Sequence, residues 1–377
     1  MADVWTGIDV LMREDLARLA GSQIGLVTNH TGLTRDGQPT IDALYAAPGV
    51  TLAALFGPEH GLRGDRDEAV ADGTDARTGL PIFSLFGART RPTGEQLAGL
   101  DTLIFDIQDI GCRFYTYVST LLGVLEAVSE HGRRVVVLDR PNPINGLAVE
   151  GPLADSDSLS FVAPHPVPVR HGLTVGELAR LMHRERGLTC PIEVVRCEGW
   201  RRGDWFDATG LLWTNPSPNM RRLTAAALYP GVGLLEFTNV SVGRGTDTPF
   251  EVFGAPYIDS RTFAGALNAE ALPGVRFVPV RFTPATSVFG GEACGGVHLL
   301  VTDRDRLNAV RVGLTLAVAL RRLYPHAWEP DRLQTLLVNA QAQEALWAGA
   351  DYGELEAGWA EPLRGFATRA QTIRLYD

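Results

Sequence analysis

No stretch of the chain runs 18 apolar residues without interruption, so no membrane-spanning helix is expected. Its four cysteines, Cys112, Cys190, Cys197 and Cys294, contain no C-x-x-C pair. That disfavours a zinc ribbon and a disulfide framework and leaves reduced, buried thiols as the expectation. Positive charge is also short: 34 Lys plus Arg against 44 Asp plus Glu give a formal net charge of −10. Nucleic acid is therefore excluded as a partner, because binding phosphate backbones requires clustered cations. The N-terminal stretch MADVWTGIDVLMREDL has acids in its first turns and no apolar secretory core, so a cytoplasmic location is expected.

Several catalytic signatures are missing as well. FGGEACGGV lacks the Lys-Ser/Thr of a phosphate-binding loop, and the first apolar run is not followed by G-x-G-x-x-G, so no nucleotide cofactor is expected. G-x-S-x-G and H-E-x-x-H are absent, which removes the usual serine-hydrolase and zinc-protease readings. His30, His60, His165 and His171 are dispersed; no metal is expected, although folding could bring the EHG triplet to Asp106.

What remains describes a folded protein. At 377 residues, 45% hydrophobic and 21% charged, the chain has the size of two domains, expected at 1–160 and 161–377. The first alternates short apolar runs with helix-like segments, the pattern of a mostly parallel sheet covered by helices. Its strands are expected at Ile24–Thr28, Thr51–Phe56, Thr102–Ile107 and Val135–Leu138, each apolar enough to be buried on both faces. A crossover helix over Phe114–His131 is expected from apolar positions three and four residues apart, closed by Gly132.

Beyond about Phe161 the expectation is a smaller α/β (α+β) domain. It begins with a helix from Thr174 to about Arg186, opened by a Thr-x-x-Glu capping box, and a strand over Pro191–Cys197. Strands VRFVPVRF and GVHLLVTD, a helix from Arg306 to Leu323 and a helical tail from Asp331 to Arg369 follow.

Each early strand ends in a polar loop marked by glycine or proline: NHTG, GPEHGLRG, QDIGCRFYTY and DRPNPING. Ligands of open parallel sheets bind outside the carboxyl ends of the strands, so these loops are expected to converge on one crevice. In LFGPEHGLRG, Glu59 has the chemistry of a general acid if the loop excludes water, with His60 beside it and Arg63 nearby; capping a helix is its other reading. Asp106 and Gln108 share a strand face, and Asp139 and Arg140 repeat the arrangement one strand along. Such carboxylates fit either a glycosidase pair or an Asp-Arg network.

Later in the chain, Glu236, Asn239, Arg244, Thr246 and Glu251 fall in one glycine-containing stretch, suited to gripping sugar hydroxyls, an acetamide and a carboxylate. Trp213 and Tyr257 would supply flat faces for a sugar ring.

Taken together, GLVTNHTG, LFGPEHGLRG, DTLIFDIQDIGCRFYTYVSTL, VLDRPNPINGLAVEGP, VRHGLTVGELA, WTNPSPNM and LYPGVGLLEFTNVSVGRGTDTPFEVFGAP resemble, in order, the blocks of bacterial exo-β-N-acetylmuramidases of the NamZ type. The resemblance implies a Rossmann-like N-terminal domain, a smaller C-terminal domain and an active site in the cleft between them. It also implies hydrolysis of terminal non-reducing β-1,4-linked N-acetylmuramic acid from peptide-free MurNAc-GlcNAc fragments, without a cofactor.

The acid/base of the family's GPEHG block falls on Glu59, with Asp106 and His60 as expected catalytic partners and Glu236 or Glu251 as competing nucleophiles. Substrate contacts are expected from Asn29, Arg63, Gln108, Arg113, Tyr115, Asp139, Arg140, Asn215, Asn219, Glu236, Asn239, Arg244, Thr246 and Glu251. One of Arg63, Arg113, Arg140 or Arg244 would meet the lactyl carboxylate. A homodimer is compatible with this reading. Two rivals stand beside it: a silent binding protein for cell-wall sugars, and a metal-dependent hydrolase.

Overall fold

The computed structural model describes residues 3–14, 16–59, 61–62 and 72–377. His60 and Arg63, two of the expected site residues, lie outside them.

The apolar runs of the first half form the expected parallel sheet. Its strands are β1 (Gln23–Thr28), β2 (Thr51–Gly57), β3 (Gly73–Thr74), β4 (Pro81–Ser84), β5 (Thr102–Asp106) and β6 (Arg134–Leu138). After them come a short hairpin of β7 (Glu150–Leu153) and β8 (Pro168–Arg170), then β9 (Ile192–Val195). The large sheet has seven strands in the order β3-β4-β2-β1-β5-β6-β9, all parallel except β3. Thus β9, expected in the second half, is the far edge of the first sheet. Strands β5 and β6 are buried along nearly their whole length, as their unbroken apolar sequences require when helices cover both faces.

Most helix boundaries follow the local signals. Thr174 caps Val175–Glu185 by accepting from the Glu177 amide at 3.2 Å, while Glu177 accepts from the Thr174 amide at 3.1 Å. The crossover helix is shorter than expected, Tyr117–Glu130, because Phe114–Thr116 form a turn before it whose side chains point elsewhere. Asn308 caps Ala309–Leu323, and the tail is helical over Gln334–Leu337, Ala340–Ala348 and Tyr352–Gln371.

The second sheet contains β10 (Val252–Ala255), β12 (Cys294–Val301) and β11 (Val275–Phe282), in that order and antiparallel. A helix over Leu223–Val232 was not legible in the sequence: LYPGVG opens a stretch whose Pro and Gly read as irregular, yet Pro230 and Gly231 sit in the helix's last turn. There Gly231 meets the helix Ala309–Leu323 so closely that a Cβ would lie 1.7 Å from the Ala309 carbonyl oxygen.

The two halves are not separate bodies in their packing. One hydrophobic core runs from Phe105, Leu121 and Val137 through Tyr229, Phe253 and Leu299 to Leu316 and Trp359. Arg113 lies inside it, with no exposed surface. Its guanidinium donates to the carbonyls of Pro152 (2.9 Å) and Val167 (3.0 Å) through Nη1, and to those of Leu336 (2.9 Å) and Leu337 (2.6 Å) through Nη2. Expected as a substrate contact, Arg113 is instead a staple between the β7–β8 hairpin and the C-terminal helices.

Candidate active site

Of the four loops at the carboxyl edge of the large sheet, two close over the sheet and two open into a pocket. The closed part is the switch point between β1 and β5, where the chain order along the sheet reverses. Here Asp106, with no exposed surface, accepts from Arg140 Nε at 2.7 Å and Nη2 at 3.0 Å and from the Thr40 hydroxyl at 2.5 Å. Gln108 donates to the carbonyls of Asp109 (2.7 Å) and Pro141 (2.9 Å).

Only a cavity of about 30 Å³ remains at this point, lined by Thr31, Gln108, Arg140, Phe206 and Trp213 among others. Trp213 packs edge-on against Phe206 at 5.2 Å. Asp106, Gln108 and Arg140 therefore hold strand ends together, and the expected Glu59–Asp106 pair is not assembled. A buried carboxylate whose two oxygens are both occupied by an arginine fork is a structural anion.

Asp139 belongs to the same structural layer. It accepts from the Arg140 and Gly176 amides (3.0 and 2.8 Å), the Thr174 hydroxyl (2.8 Å) and the Tyr376 hydroxyl. Burial pushes its carboxyl up to about 6 despite these bonds. A carboxyl raised in the folded state stabilises the fold below its ordinary pKa and loses that contribution as pH rises through its folded value. Asp139→Asn keeps the two amide bonds, and the two hydroxyls can turn to accept. The stability of the wild type relative to this variant is expected to fall between about pH 4 and pH 6.5; parallel melting curves that keep a constant offset would contradict it.

The open pocket has a volume of about 170 Å³ and lies between the two halves. Glu59 enters it from the loop after β2 and accepts a hydrogen bond from the Thr116 hydroxyl. Thr116 is the N-cap residue of Tyr117–Glu130 but makes no side-chain bond to its own helix; its hydroxyl serves Glu59 instead. The other oxygen of Glu59 has no partner among the described residues.

Across the pocket stands an ion pair of Glu236 and Arg244. The Asn219 amide oxygen, in the orientation that satisfies both groups, accepts from Arg244 Nε at 3.3 Å and Nη2 at 3.2 Å. Arg244 is presented by Gly243 (φ 81°) and Gly245 (φ 80°). A Cβ on Gly245 would meet the Thr286 carbonyl at 2.5 Å, so the G-R-G spacing is a steric requirement of this turn. The chain contains no lysine; all 34 of its basic residues other than histidine are arginine. Among the described residues, Arg244 is the cation that lines the pocket.

The aromatic faces expected from Trp213 and Tyr257 come from other residues. Tyr257 packs on Tyr324 and donates to the Asn239 carbonyl at 3.1 Å. Phe114, Tyr115, Tyr229, Phe237 and Phe250 line the pocket instead. Tyr117 donates to the Pro216 carbonyl at 2.6 Å, anchoring the segment that carries Ser217 and Asn219 into the pocket wall.

Of the expected site residues, Glu59, Tyr115, Asn219, Glu236 and Arg244 are thus brought together. Asn29 turns its side-chain oxygen to the Thr31 amide and hydroxyl. Asn215 contributes its carbonyl to His30, at 2.6 Å. Asn239 ties its loop to Ala327 and Glu329, and Thr246 closes a turn onto the Gly243 carbonyl. Glu251 is buried, its carboxyl raised by desolvation, and does not line the pocket. Thr116, Tyr229 and Phe250 were missed, although FYTY, LYPGVG and TPFEVF stand within the quoted blocks; no chemical pattern in these stretches separates a pocket side chain from a core one.

Family models described as "Exo-beta-N-acetylmuramidase NamZ, N-terminal" and "C-terminal" match residues 24–224 and 227–376. The chain belongs to the NamZ family. The two models meet near residue 225, beyond β9, in keeping with the place of that strand in the first sheet. The Bacillus subtilis peptidoglycan beta-N-acetylmuramidase NamZ is 45% identical over 328 residues, covering 86% of this chain and 79% of that protein. Two crystal structures of DUF1343-family proteins from Bacteroides fragilis share the fold. One has a TM-score of 0.93 at 35% identity, covering 99% of each chain; the other has 0.82 at 29%, covering 100% of this chain and 99% of its own.

Proposed function

We infer that the protein is an exo-β-N-acetylmuramidase, a glycoside hydrolase that releases terminal non-reducing β-1,4-linked N-acetylmuramic acid from peptidoglycan fragments. The observation that carries this reading to the site is the meeting, in one pocket of a chain that family models match almost throughout, of Glu59 with the Glu236–Arg244 pair.

Glycoside hydrolysis needs a proton on the leaving oxygen and a negative group to steady the oxocarbenium-like transition state. We propose Glu59 as the acid. Its carboxyl is held by Thr116 through one oxygen, leaving the other to give its proton to the glycosidic oxygen as the C1–O bond breaks. Water then adds at the anomeric carbon, and the carboxylate recovers the proton from it. Glu236, as the second pocket carboxylate, takes the place expected of Asp106. The aromatic lining supplies the apolar face a pyranose packs on.

The lactyl carboxylate distinguishes muramic acid from glucosamine, and Arg244 is proposed as its partner. Arg244→Met is expected to lower kcat/KM for a muramyl substrate by about 10- to 100-fold, the effect of one charge-assisted hydrogen bond. Binding of free N-acetylglucosamine, which lacks the lactyl group, should weaken by less than about twofold, while binding of free N-acetylmuramic acid falls by the same factor of about 10- to 100-fold. Equal losses of affinity for the two sugars would assign Arg244 to the pocket's architecture.

The test of the activity is sugar release from N-acetylmuramyl-β-1,4-N-acetylglucosamine, followed by mass spectrometry, with the reversed disaccharide as control. Cleavage of the first alone supports the reading; cleavage of neither, with the sugar still bound, would favour a binding protein. We also propose that the enzyme works in the cytoplasm on imported fragments during cell-wall recycling. Its four buried cysteines, none in a disulfide, support a reducing compartment. Recovery of the protein outside the cytoplasm on cell fractionation would oppose that placement.

A further inference from the structure

Tyr229 is about nine-tenths buried, with 8% of its surface exposed, and its hydroxyl makes no hydrogen bond to any described residue. It lines the pocket together with Glu59, Glu236 and Arg244. The ring is held on three sides: by Phe114 at 5.1 Å, by Tyr115 at 5.9 Å and by Phe250 at 4.7 Å, the last two edge-on.

Phe250 reaches that position from a left-handed backbone, φ 64°, a conformation rare for a bulky residue and one that needs support from its surroundings. The support is visible in its amide, which donates to the Val242 carbonyl at 2.8 Å. The chain thus spends backbone strain to fix a tyrosine ring whose polar end meets no protein partner. A donor that opens into a pocket and meets no described partner is available to a ligand. The Tyr115 hydroxyl beside it is fully buried and faces Ser217 and Tyr117, so Tyr229 is the tyrosine whose polar end is left for the pocket.

The ligand group can be narrowed by chemistry. Burial first, and then the charges of Glu236 and Glu59, hold the Tyr229 hydroxyl protonated against the opposing effect of Arg244, so it offers a neutral O–H. A carboxylate beside Glu59 and Glu236 is disfavoured except at Arg244. A sugar hydroxyl would use the donor but leave the apolar walls of Phe114, Phe250 and Met220 without a counterpart. An acetamide satisfies both, since its carbonyl accepts while its methyl packs on the rings.

We propose that Tyr229 forms the subsite for the 2-acetamido group of the terminal sugar, donating to the amide oxygen beside Glu59. Tyr229 is then a specificity-determining residue that touches substrate, and it orients the amide with respect to the anomeric carbon. This inference rests on the muramidase reading above.

The test is Tyr229→Phe, which removes one oxygen and keeps the ring packing. Turnover is compared on N-acetylmuramyl-β-1,4-N-acetylglucosamine and on the same disaccharide bearing a hydroxyl in place of the acetamide. Binding of the two corresponding free monosaccharides is measured in parallel by calorimetry, so that slow cleavage of the analogue does not decide the outcome. Expected is a loss of about tenfold or more on the acetamido compounds and less than about twofold on the hydroxyl analogues, with an unchanged melting temperature. Equal loss on both series, or no loss on either, overturns the assignment. If the wild type cleaves neither disaccharide, the muramidase reading fails, and the tyrosine subsite is then judged on the binding of the monosaccharides alone.

Discussion

Glu59→Gln is expected to lower kcat by at least about 100-fold, the usual cost of losing a general acid, with little change in KM or melting temperature. Glutamine keeps the shape of the side chain and an oxygen that can accept from Thr116, so the pocket should hold its form. What disappears is the transferable proton. The role can be separated from simple positioning by the leaving group. A 4-nitrophenyl glycoside departs as a stabilised phenolate and needs no protonation, so the variant should lose far less on it than on the disaccharide. A comparable loss on both substrates would make Glu59 a substrate-orienting group, and near-normal turnover of the disaccharide would remove it from the mechanism.

The largest effect on stability is expected at Arg113. Its two terminal nitrogens satisfy four main-chain carbonyls from two separate regions. Desolvation lowers its guanidinium to about 10, so it remains charged at neutral pH. Arg113→Met would fill the space but leave those buried oxygens without their donor. Removing one side of such a buried polar array typically costs about 3–5 kcal/mol. For a chain of 377 residues unfolding in one transition, that corresponds to a fall in Tm of roughly 4–6 °C.

Arg113→Lys should recover only part, because a single ammonium cannot span the fork. Since Leu336 is both an Arg113 partner and a pocket wall, the Met variant should also bind substrate more weakly. A variant as stable as the wild type in thermal and urea unfolding would show that the four carbonyls find other partners.

Much of this protein was legible in its sequence because the signals are local. Apolar runs such as TLIFD and VVVL marked the parallel sheet, and Thr174 with Glu177 marked a helix start. Polar loops after those strands supplied Glu59 and Tyr115 of the pocket, and two later polar stretches supplied Asn219, Glu236 and Arg244.

The sequence could not say which loops end up side by side. Asp106 and Glu59 each follow a buried strand, yet folding seats an arginine fork on one and a lone hydroxyl on the other. Arg113 and Arg244 are the same residue type in similarly polar surroundings; one is taken into the core by four carbonyls, the other held at the pocket by two glycines with positive φ. Trp213 and Tyr229 are both large aromatics, and only the packing of distant helices decides which faces the larger pocket. The sequence by itself determined periodicity, capping and the supply of reactive groups, which depend on neighbours a few residues away. The tertiary structure alone decided which of those groups are spent on holding the fold and which are left for chemistry, because that depends on contacts between segments tens to hundreds of residues apart.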